Sequence, residues 1–247
     1  MTPAAPAGLP LRDAAGEILP KAHHPLFDIA RLPLFEKLAA HDLAALLETA
    51  WVQIFPDGHV LFTSGGTADK LLVVLDGHVE LLVEEGGRQS VFEVAERPAM
   101  LAEAALREGV HGETARVVGH ARLLVMPVEP FRRALDAQPQ LARQMLSAMS
   151  MRLRGLIGQI SELKLKSTTQ RLAGFLLGLA PGTEDQAVVR FPYGKRLAAE
   201  TLGMTAESLS RALARLGALG VESRPDNVVA IASIAALKAF VVAEDEG

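Results

Sequence analysis

The pattern of apolar and polar residues changes along the chain and predicts different elements in different regions. From Pro33 to Ala50 apolar residues recur at helical spacing, which predicts one or two short helices. From Trp51 to about Pro127, short runs rich in Val, Leu and Phe are separated by turn signals such as Pro56-Asp57-Gly58. Their regular spacing favours a closed barrel or jelly roll over a parallel sheet.

The segment KLLVVLDGHVELLVEE, residues 70–85, has the clearest strand pattern in this region. Two apolar runs flank Asp76-Gly77, a dipeptide that readily adopts the positive φ angles of a tight turn. The segment therefore predicts two strands joined as a hairpin.

A different pattern extends from Pro130 to about Leu165, where no glycine cluster interrupts the spacing and one long helix is predicted. A narrow, long apolar stripe is typical of a coiled-coil seam, which favours a homodimer. The alternative is that the stripe packs on the protein's own barrel. The stripe consists of Leu141, Met145, Met149, Leu153, Leu156, Ile160 and Leu163.

Beyond Lys164, helical segments are followed by GVESRPDNVVAIAS, which predicts a hairpin turning at residues 224–227, and by a final helix IAALKAFVVAE. This order is typical of a winged helix-turn-helix. The predicted fold class is α+β, with an N-terminal jelly roll. The expected parts are a flexible arm (1–22), a β-roll domain (23–129), a dimerisation helix (130–165) and a winged helix-turn-helix (166–247).

The segment LAAETLGMTAESLSRAL has the composition of a helix-turn-helix whose second helix begins after Thr205, a natural N-cap. Glu207, Ser210 and Arg211 then project from one exposed face near the end that enters a major groove. Arginine can donate hydrogen bonds to guanine, glutamate can accept one from cytosine, and serine can bond to several base edges. The alternative is that Glu207 stabilises the helix dipole and pairs with Arg211. The opposite face holds Leu209, Leu213 and Leu216.

Charge along the chain supports a DNA-binding C-terminal third. The whole chain has a net charge of −4, yet residues 164–230 contain nine Lys/Arg and six Asp/Glu. Basic side chains in this region would contact DNA phosphates and position the protein on the duplex without recognising its base sequence. The candidate DNA-binding residues are Thr205, Glu207, Ser208, Ser210, Arg211, Arg215, Lys195 and Arg196, and Arg224 is a further phosphate candidate.

Composition excludes several function classes. The chain has no cysteine, which removes iron–sulfur clusters, cysteine-ligated zinc, disulfides and thiol nucleophiles. No uncharged apolar run reaches the length of about 18 residues that indicates a membrane span, so we expect a cytoplasmic protein without a membrane partner. No nucleophile–base pair, phosphate-cradling loop or H-E-x-x-H motif is present, so the chain is not expected to be an enzyme.

Taken in order, these parts resemble the Crp/Fnr family of bacterial transcription regulators over roughly residues 30–240. FPDGHVLFTSGGTADKLLVVLDGHVELL is similar to the β-roll signature of that family, and ESLSR (207–211) is similar to its Glu-x-x-Ser-Arg reading motif. The resemblance implies that the jelly roll (23–129) is a cyclic nucleotide-binding-like β-roll that acts as the sensor domain. It also implies a homodimer on double-stranded DNA, an inverted repeat of TTGAT-like half-sites, and RNA polymerase as a partner.

The cyclic-AMP members of the family carry Gly-Glu and, further on, Arg-Ser-Ala, where this chain has Ala102-Glu103 and Glu113-Thr114-Ala115. Glu113 therefore stands where an arginine would hold the cyclic phosphate, and two neighbouring anions repel. Cyclic-nucleotide sensing is not expected, although Glu103 and Thr114 still match. The alternatives are a cyclic-nucleotide-responsive Crp-like regulator or a ligand-binding module without DNA output.

The oxygen-sensing branch is excluded by the missing cysteines. ISELKLKSTTQRLAGFLLGLAPG most resembles the nitric-oxide-responding Dnr type, which implies haem; another small ligand, or none, stays open. Haem requires an axial ligand. His23 and His24 are favoured because a mobile arm could bring them to a metal, and the remaining histidines are at 41, 59, 78, 111 and 120.

Overall fold

The structure is a computed structural model that describes residues 12–13, 29, 32, 34–36, 38–96, 99–106, 109–180 and 185–242. The chain divides into two compact units, an N-terminal unit (residues 1–153) and a C-terminal unit (residues 154–247). Each unit combines helices with a mainly antiparallel sheet, which confirms the predicted fold class.

The N-terminal unit is built on one seven-stranded sheet with the order β1-β2-β7-β4-β5, in which β3 pairs with β7 and β6 pairs with β4. Two apolar clusters lie in this unit, one containing Phe35 and Phe131 and the other containing Val79 and Leu123. The strands are β1 (Arg12–Asp13), β2 (Trp51–Phe55), β3 (Val60–Phe62), β4 (Lys70–Glu85), β5 (Arg88–Glu96), β6 (Ala99–Leu101) and β7 (Thr114–Pro127).

The first strand corrects the prediction that residues 1–22 form only a loosely ordered arm. Arg12 and Asp13 pair in parallel with Trp51 and Val52 of β2. Backbone pairing needs no apolar periodicity, so the composition of the arm did not indicate this contact.

The hairpin predicted at Asp76-Gly77 is wrong. Residues 70–85 form one strand that pairs with β7 on both sides of this dipeptide, and the register shifts there. Gly77 has φ +84°, and a Cβ at this position would lie 2.1 Å from the carbonyl oxygen of His120. The positive φ of Gly77 therefore belongs to a bulge that bends the strand. The turn between β4 and β5 lies at Gly86-Gly87, where both glycines have positive φ.

The helices of the N-terminal unit are α1 (Ala40–Leu47) and α2 (Val128–Ala137), and α3 (Pro139–Leu165) continues across the boundary between the units. The prediction of one helix over 130–165 is therefore wrong. Gln138 has φ −125° and ψ 89°, because a residue that precedes proline avoids helical angles. The long helix begins at Pro139, where the missing N–H costs no hydrogen bond.

The apolar stripe of α3 divides between the two alternatives. Leu141 and Met145 are buried in the N-terminal unit, as expected if the stripe packs on the protein's own core. Further along, Met149, Leu153 and Ile160 are 45%, 59% and 54% exposed. The larger part of the stripe therefore remains uncovered in a single chain.

The C-terminal unit contains helices followed by a small hairpin, as predicted. β9 and β10 pair around residues 224–227, where Asp226 and Asn227 adopt positive φ. A third strand, β8, which the sequence pattern did not reveal, pairs with β10. The elements are α4 (Thr168–Leu179), β8 (Ala187–Arg190), α5 (Lys195–Thr201), α6 (Ala206–Leu216), β9 (Val221–Ser223), β10 (Val228–Ile231) and α7 (Ile234–Val242).

Among the residues that the structure describes, no helix combines the length and the apolar character needed to cross a bilayer.

Candidate DNA-binding surface and sensor cavity

Helix α6 is amphipathic in the way its sequence predicts. The side chain of Thr205 accepts a hydrogen bond from the backbone N–H of Ser208 at 3.1 Å, which caps the N-terminus. Leu209, Leu213 and Leu216 are between 0% and 8% exposed, so they fix the inner face of the helix in the core. The outer face is thereby held toward solvent.

Glu207, Ser210 and Arg211 all lie on that exposed face. Arg211 Nη1 is 3.6 Å from Glu207 Oε1, with the side chains 66% and 79% exposed. Ser210 Oγ donates to the carbonyl of Ala206, and Arg211 Nη2 lies 3.5 Å from Ser208 Oγ. An exposed i,i+4 pair contributes only about 0.3–0.5 kcal/mol, so a partner can replace these contacts at little cost.

The other predicted DNA-binding cations are distributed over three elements of the C-terminal unit. Lys195 begins α5 and bonds Ser223 Oγ at 2.8 Å, while Arg196 pairs with Glu200 at 2.7 Å. Arg215 is exposed in the last turn of α6. Arg224, next to the hairpin turn, pairs with Glu222 at 2.9 Å.

Arg171 of α4 is a functional candidate that the sequence analysis missed. Its guanidinium donates to the carbonyls of Leu202 at 3.0 Å and Gly203 at 3.3 Å, in the turn before α6. It also donates to the backbone carbonyls of Lys166 at 3.2 Å and Leu163 at 3.4 Å, at the end of α3. The sequence offered one indication of this role, which is the position of an arginine inside the apolar segment TTQRLAGFLL.

The same junction has a second contact. Gly203 has φ +63°, and a Cβ on it would lie 2.6 Å from Leu163 Cδ2. Arg171 and the Leu163 side chain therefore fasten the end of α3 to the turn that positions α6.

The sensor cavity lies within the N-terminal unit and has a volume of about 290 Å³. Its apolar lining includes Leu34, Phe35, Val73, Met100, Ala148 and Met149. Its charged lining is Glu93, Glu103 and Arg152. An apolar pocket with a few convergent polar groups is typical of a small-molecule site.

Arg152 of α3 joins the strands to the long helix inside this unit. Its Nη2 bonds Glu93 Oε2 at 2.8 Å, and its Nη1 bonds Glu103 Oε1 at 2.5 Å and the Met100 carbonyl at 3.2 Å. The two carboxylates are 19% and 17% exposed and the arginine is 33% exposed. Glu103, which matched the family motif, is thus already paired.

The titration of these groups reflects their burial first and the neighbouring charges second. Burial raises the pKa of Glu103 even though Arg152 acts in the opposite direction. Burial also raises the pKa of Glu113, and Glu93 adds to that rise while Arg152 opposes it. For Arg152, burial alone would lower the pKa, but Glu103 and Glu93 raise it, so the guanidinium stays protonated.

The residues around the missing phosphate arginine have partners of their own. Glu113 is half-buried, and Thr114 Oγ1 accepts from the Ser64 N–H at 3.1 Å. Ala102, where the cyclic-AMP members carry glycine, has φ +65° and is 1% exposed. The strand-to-helix turn is therefore kept although its glycine is absent.

The predicted axial ligands His23 and His24 lie outside the described residues. Of the other histidines, His111 is 6% exposed and stacks on Phe62 at 3.9 Å between ring centroids. Burial lowers the pKa of His111, and Asp69 opposes this shift. The described lining of the cavity contains no histidine, and the described residues include no group of three metal-ligating side chains.

Comparison with known families assigns both units. Residues 52–138 match the cyclic nucleotide-binding domain, and residues 170–240 match the Crp-like helix-turn-helix domain. The chain belongs to the Crp/Fnr family of transcription regulators, whose members are regulators and not enzymes. The Crp-like domain implies DNA binding, and Crp-family regulators act as dimers.

Several proteins are similar along most of their length. A CRP-like cAMP-activated global transcriptional regulator of Mycobacterium tuberculosis is 24% identical over 75% of this chain and 86% of that protein. A crystallised protein of Ruegeria pomeroyi, named as cyclic nucleotide binding, is 31% identical with a TM-score of 0.62, covering 85% of this chain and 94% of that one. FixK2 of Bradyrhizobium japonicum, at 18% identity and a TM-score of 0.67, shares the fold over 78% of this chain and 98% of its own.

Proposed function

We propose that this regulator binds an inverted repeat of TTGAT-like half-sites as a homodimer, with α6 of each chain in a major groove. The observation that carries the proposal is the exposed face of Glu207, Ser210 and Arg211 on a capped helix whose other face is buried. Their loose mutual contacts leave these groups able to exchange partners for base edges. Lys195, Arg196, Arg215 and Arg224 would contact phosphates.

The exposed stripe of α3 supports the homodimer. Leu146, Leu153 and Ile160 recur at the seven-residue interval of a coiled coil, and Met149, Leu156 and Leu163 repeat it three residues further on, almost one full turn along the helix. Apolar side chains at both positions of such a repeat favour a second helix as their cover. A second copy of α3 supplies one of matching length.

Coupling between signal and DNA would run along α3. Arg152 attaches this helix to the sensor cavity, and Arg171 attaches its end to the turn before α6. A ligand that favours one arrangement of the paired helices changes the separation of the two α6 helices, which must match half-sites about one helical turn apart. RNA polymerase stays a predicted partner.

The Dnr-type alternative, a haem that responds to nitric oxide, stays a prediction. The described lining of the cavity does not fit haem, since it offers no histidine and its carboxylates would repel the two propionates of the porphyrin. We therefore assign no step to haem. An absorption spectrum of protein produced with haem, and of a His23→Ala/His24→Ala variant, tests the alternative; a Soret band lost in the variant would establish it.

A band-shift titration tests the proposed function. A duplex carrying the inverted repeat is compared with a scrambled duplex of equal length and base composition, with the salt concentration held constant. We expect the repeat to be retarded at a protein concentration at least about tenfold lower. Equal retardation of both duplexes would contradict sequence-specific binding.

Two arginine variants refine that titration. Arg211→Ala should weaken binding to the repeat by about 1–3 kcal/mol and relax selection at one guanine position. Arg88→Ala, which removes an exposed arginine near the β4–β5 turn of the N-terminal unit, is the charge-matched control and should leave affinity unchanged. An Arg211→Ala protein that selects bases as the parent does would show that α6 does not read the site.

A further inference from the structure

The sensor cavity holds more negative charge than the cation beside it can neutralise. Among the described residues that line it, Glu93 and Glu103 bond to one guanidinium, that of Arg152. Glu93 and Glu103 line the cavity directly, and Glu113 is close enough for Arg152 and Glu93 to influence its titration. Desolvated carboxylates that outnumber their cation repel one another and gain from a further positive charge.

The rest of the cavity is apolar. Leu34, Phe35, Val73 and Ala148 contribute hydrocarbon surface, and Met100 adds a flexible side chain that adapts to irregular shapes. The volume of about 290 Å³ lies at the lower end of the range for ligand sites, about 300–1,000 Å³. The cavity therefore suits a small molecule with an apolar body.

We propose that the sensor cavity binds a small organic cation, an apolar molecule with one protonated amine, and that its ammonium group lies beside Glu93 and Glu103. This inference rests on the proposed function, because it names the chemical class of the effector. An anionic ligand such as a cyclic nucleotide meets net negative charge here. An ammonium group instead adds a positive charge and further hydrogen-bond donors next to these carboxylates.

Such a ligand has a direct route to the long helix. Its ammonium group competes with Arg152 for Glu93 and Glu103, and these contacts hold α3 against β5 and the short helix at residues 103–106. Binding of the cation thus loosens the hold of the strands on α3. Effector binding would therefore act on α3 through Arg152, the residue that attaches this helix to the strands.

Isothermal titration calorimetry with three probes of equal chain length tests the charge preference. n-Octylamine, 1-octanol and octanoate present positive, neutral and negative groups on the same apolar body at pH 7.5, with full-length protein and no DNA. We expect octylamine to bind about tenfold more tightly than octanol, as one charge-assisted hydrogen bond predicts, and octanoate to bind least.

Substitutions locate the binding. Glu113→Gln and Glu93→Gln should each reduce octylamine affinity severalfold and leave octanol affinity unchanged. Glu84→Gln, which neutralises an exposed carboxylate of β4, is the matched control and should change neither. Ala148→Phe should block all three probes by filling the cavity, with circular dichroism confirming that the variant is folded.

Octylamine binding no tighter than octanol, or octanoate binding best, would overturn the proposal. Octylamine binding that survives Ala148→Phe, or that Glu84→Gln weakens as much as Glu113→Gln does, would overturn it as well. None of these results depends on DNA. A regulator that fails this test but selects the inverted repeat keeps its proposed function and loses only its proposed effector class.

Discussion

Arginine and glutamate pair in both units of the chain, and the surroundings give the pairs opposite properties. Arg152 is held by two mostly buried carboxylates at 2.8 and 2.5 Å, with a third carboxylate nearby. Arg211 and Glu207 lie 3.6 Å apart, with both side chains well exposed. The first pair is costly to break unless another cation replaces Arg152, while the second breaks readily when a better partner arrives. The degree of burial, and not the residue type, therefore determines whether an Arg–Glu pair stabilises the fold or remains available to a partner.

The largest expected effect comes from Arg152→Met, which leaves Glu93 and Glu103 without their cation. We expect the N-terminal unit to lose about 2–3 kcal/mol of unfolding free energy, less than the about 3–5 kcal/mol typical of a fully buried pair, because Arg152 is 33% exposed. Trp51 is the single tryptophan, so its fluorescence during urea unfolding reports on this unit alone. Arg88→Met, which removes an exposed arginine of the same unit, is the control and should stay within about 0.5 kcal/mol.

Arg171 extends the comparison to an arginine whose hydrogen-bond acceptors are neutral carbonyls. Arg171→Lys keeps the charge but removes the planar fork, so the carbonyls of Leu202 and Gly203 lose their donors. We expect a loss of about 1–2 kcal/mol in the C-terminal unit, measured by hydrogen exchange of α6 amides. Unchanged exchange, with unchanged affinity for the inverted repeat, would show that Arg171 does not position α6.

The third prediction concerns pH and uses the raised pKa values of Glu103 and Glu113. Because the folded state holds these protons more tightly than the unfolded state, their contribution to stability falls as pH rises above the ordinary value near 4.5 through the raised values. Glu113→Gln should flatten this dependence and stabilise the N-terminal unit at neutral pH. Urea titrations between pH 4 and 8, followed by Trp51 fluorescence, measure it; a parallel curve displaced by a constant amount would contradict the assignment.

The smallest effect is expected for the exposed pair of α6. A double-mutant cycle on Glu207 and Arg211, with both changed to Ala, should give a coupling energy of at most about 0.5 kcal/mol for stability. The same cycle measured on DNA affinity should give a larger value if both side chains contact adjacent bases. Strong coupling in stability would mean that the pair is structural and unavailable for recognition.

Local patterns predicted much of this molecule. The cap at Thr205 and the spacing of Leu209, Leu213 and Leu216 are determined within α6, so the sequence alone was sufficient to place its two faces. Asp76-Gly77 misled because the same positive φ serves a hairpin or a bulge, and only the pairing with β7 distinguishes them. The break at Gln138-Pro139 was readable from the proline but was outweighed by the continuous apolar spacing.

The cavity could not be predicted in the same way. Arg152 meets Glu93 and Glu103 from 59 and 49 residues away in sequence, and no periodicity links such distant positions. Glu113 was noticed only as a departure from a motif. Its pKa depends on its burial and on the charges of Arg152 and Glu93, which only the fold brings near it.

If the apolar repeat from Leu146 to Leu163 joins two chains as proposed, the amount of dimer depends on how much of the protein a cell makes. Association of two chains follows mass action, so where single chains predominate, halving their number leaves about a quarter of the pairs. Expression level would then be a second input beside any effector.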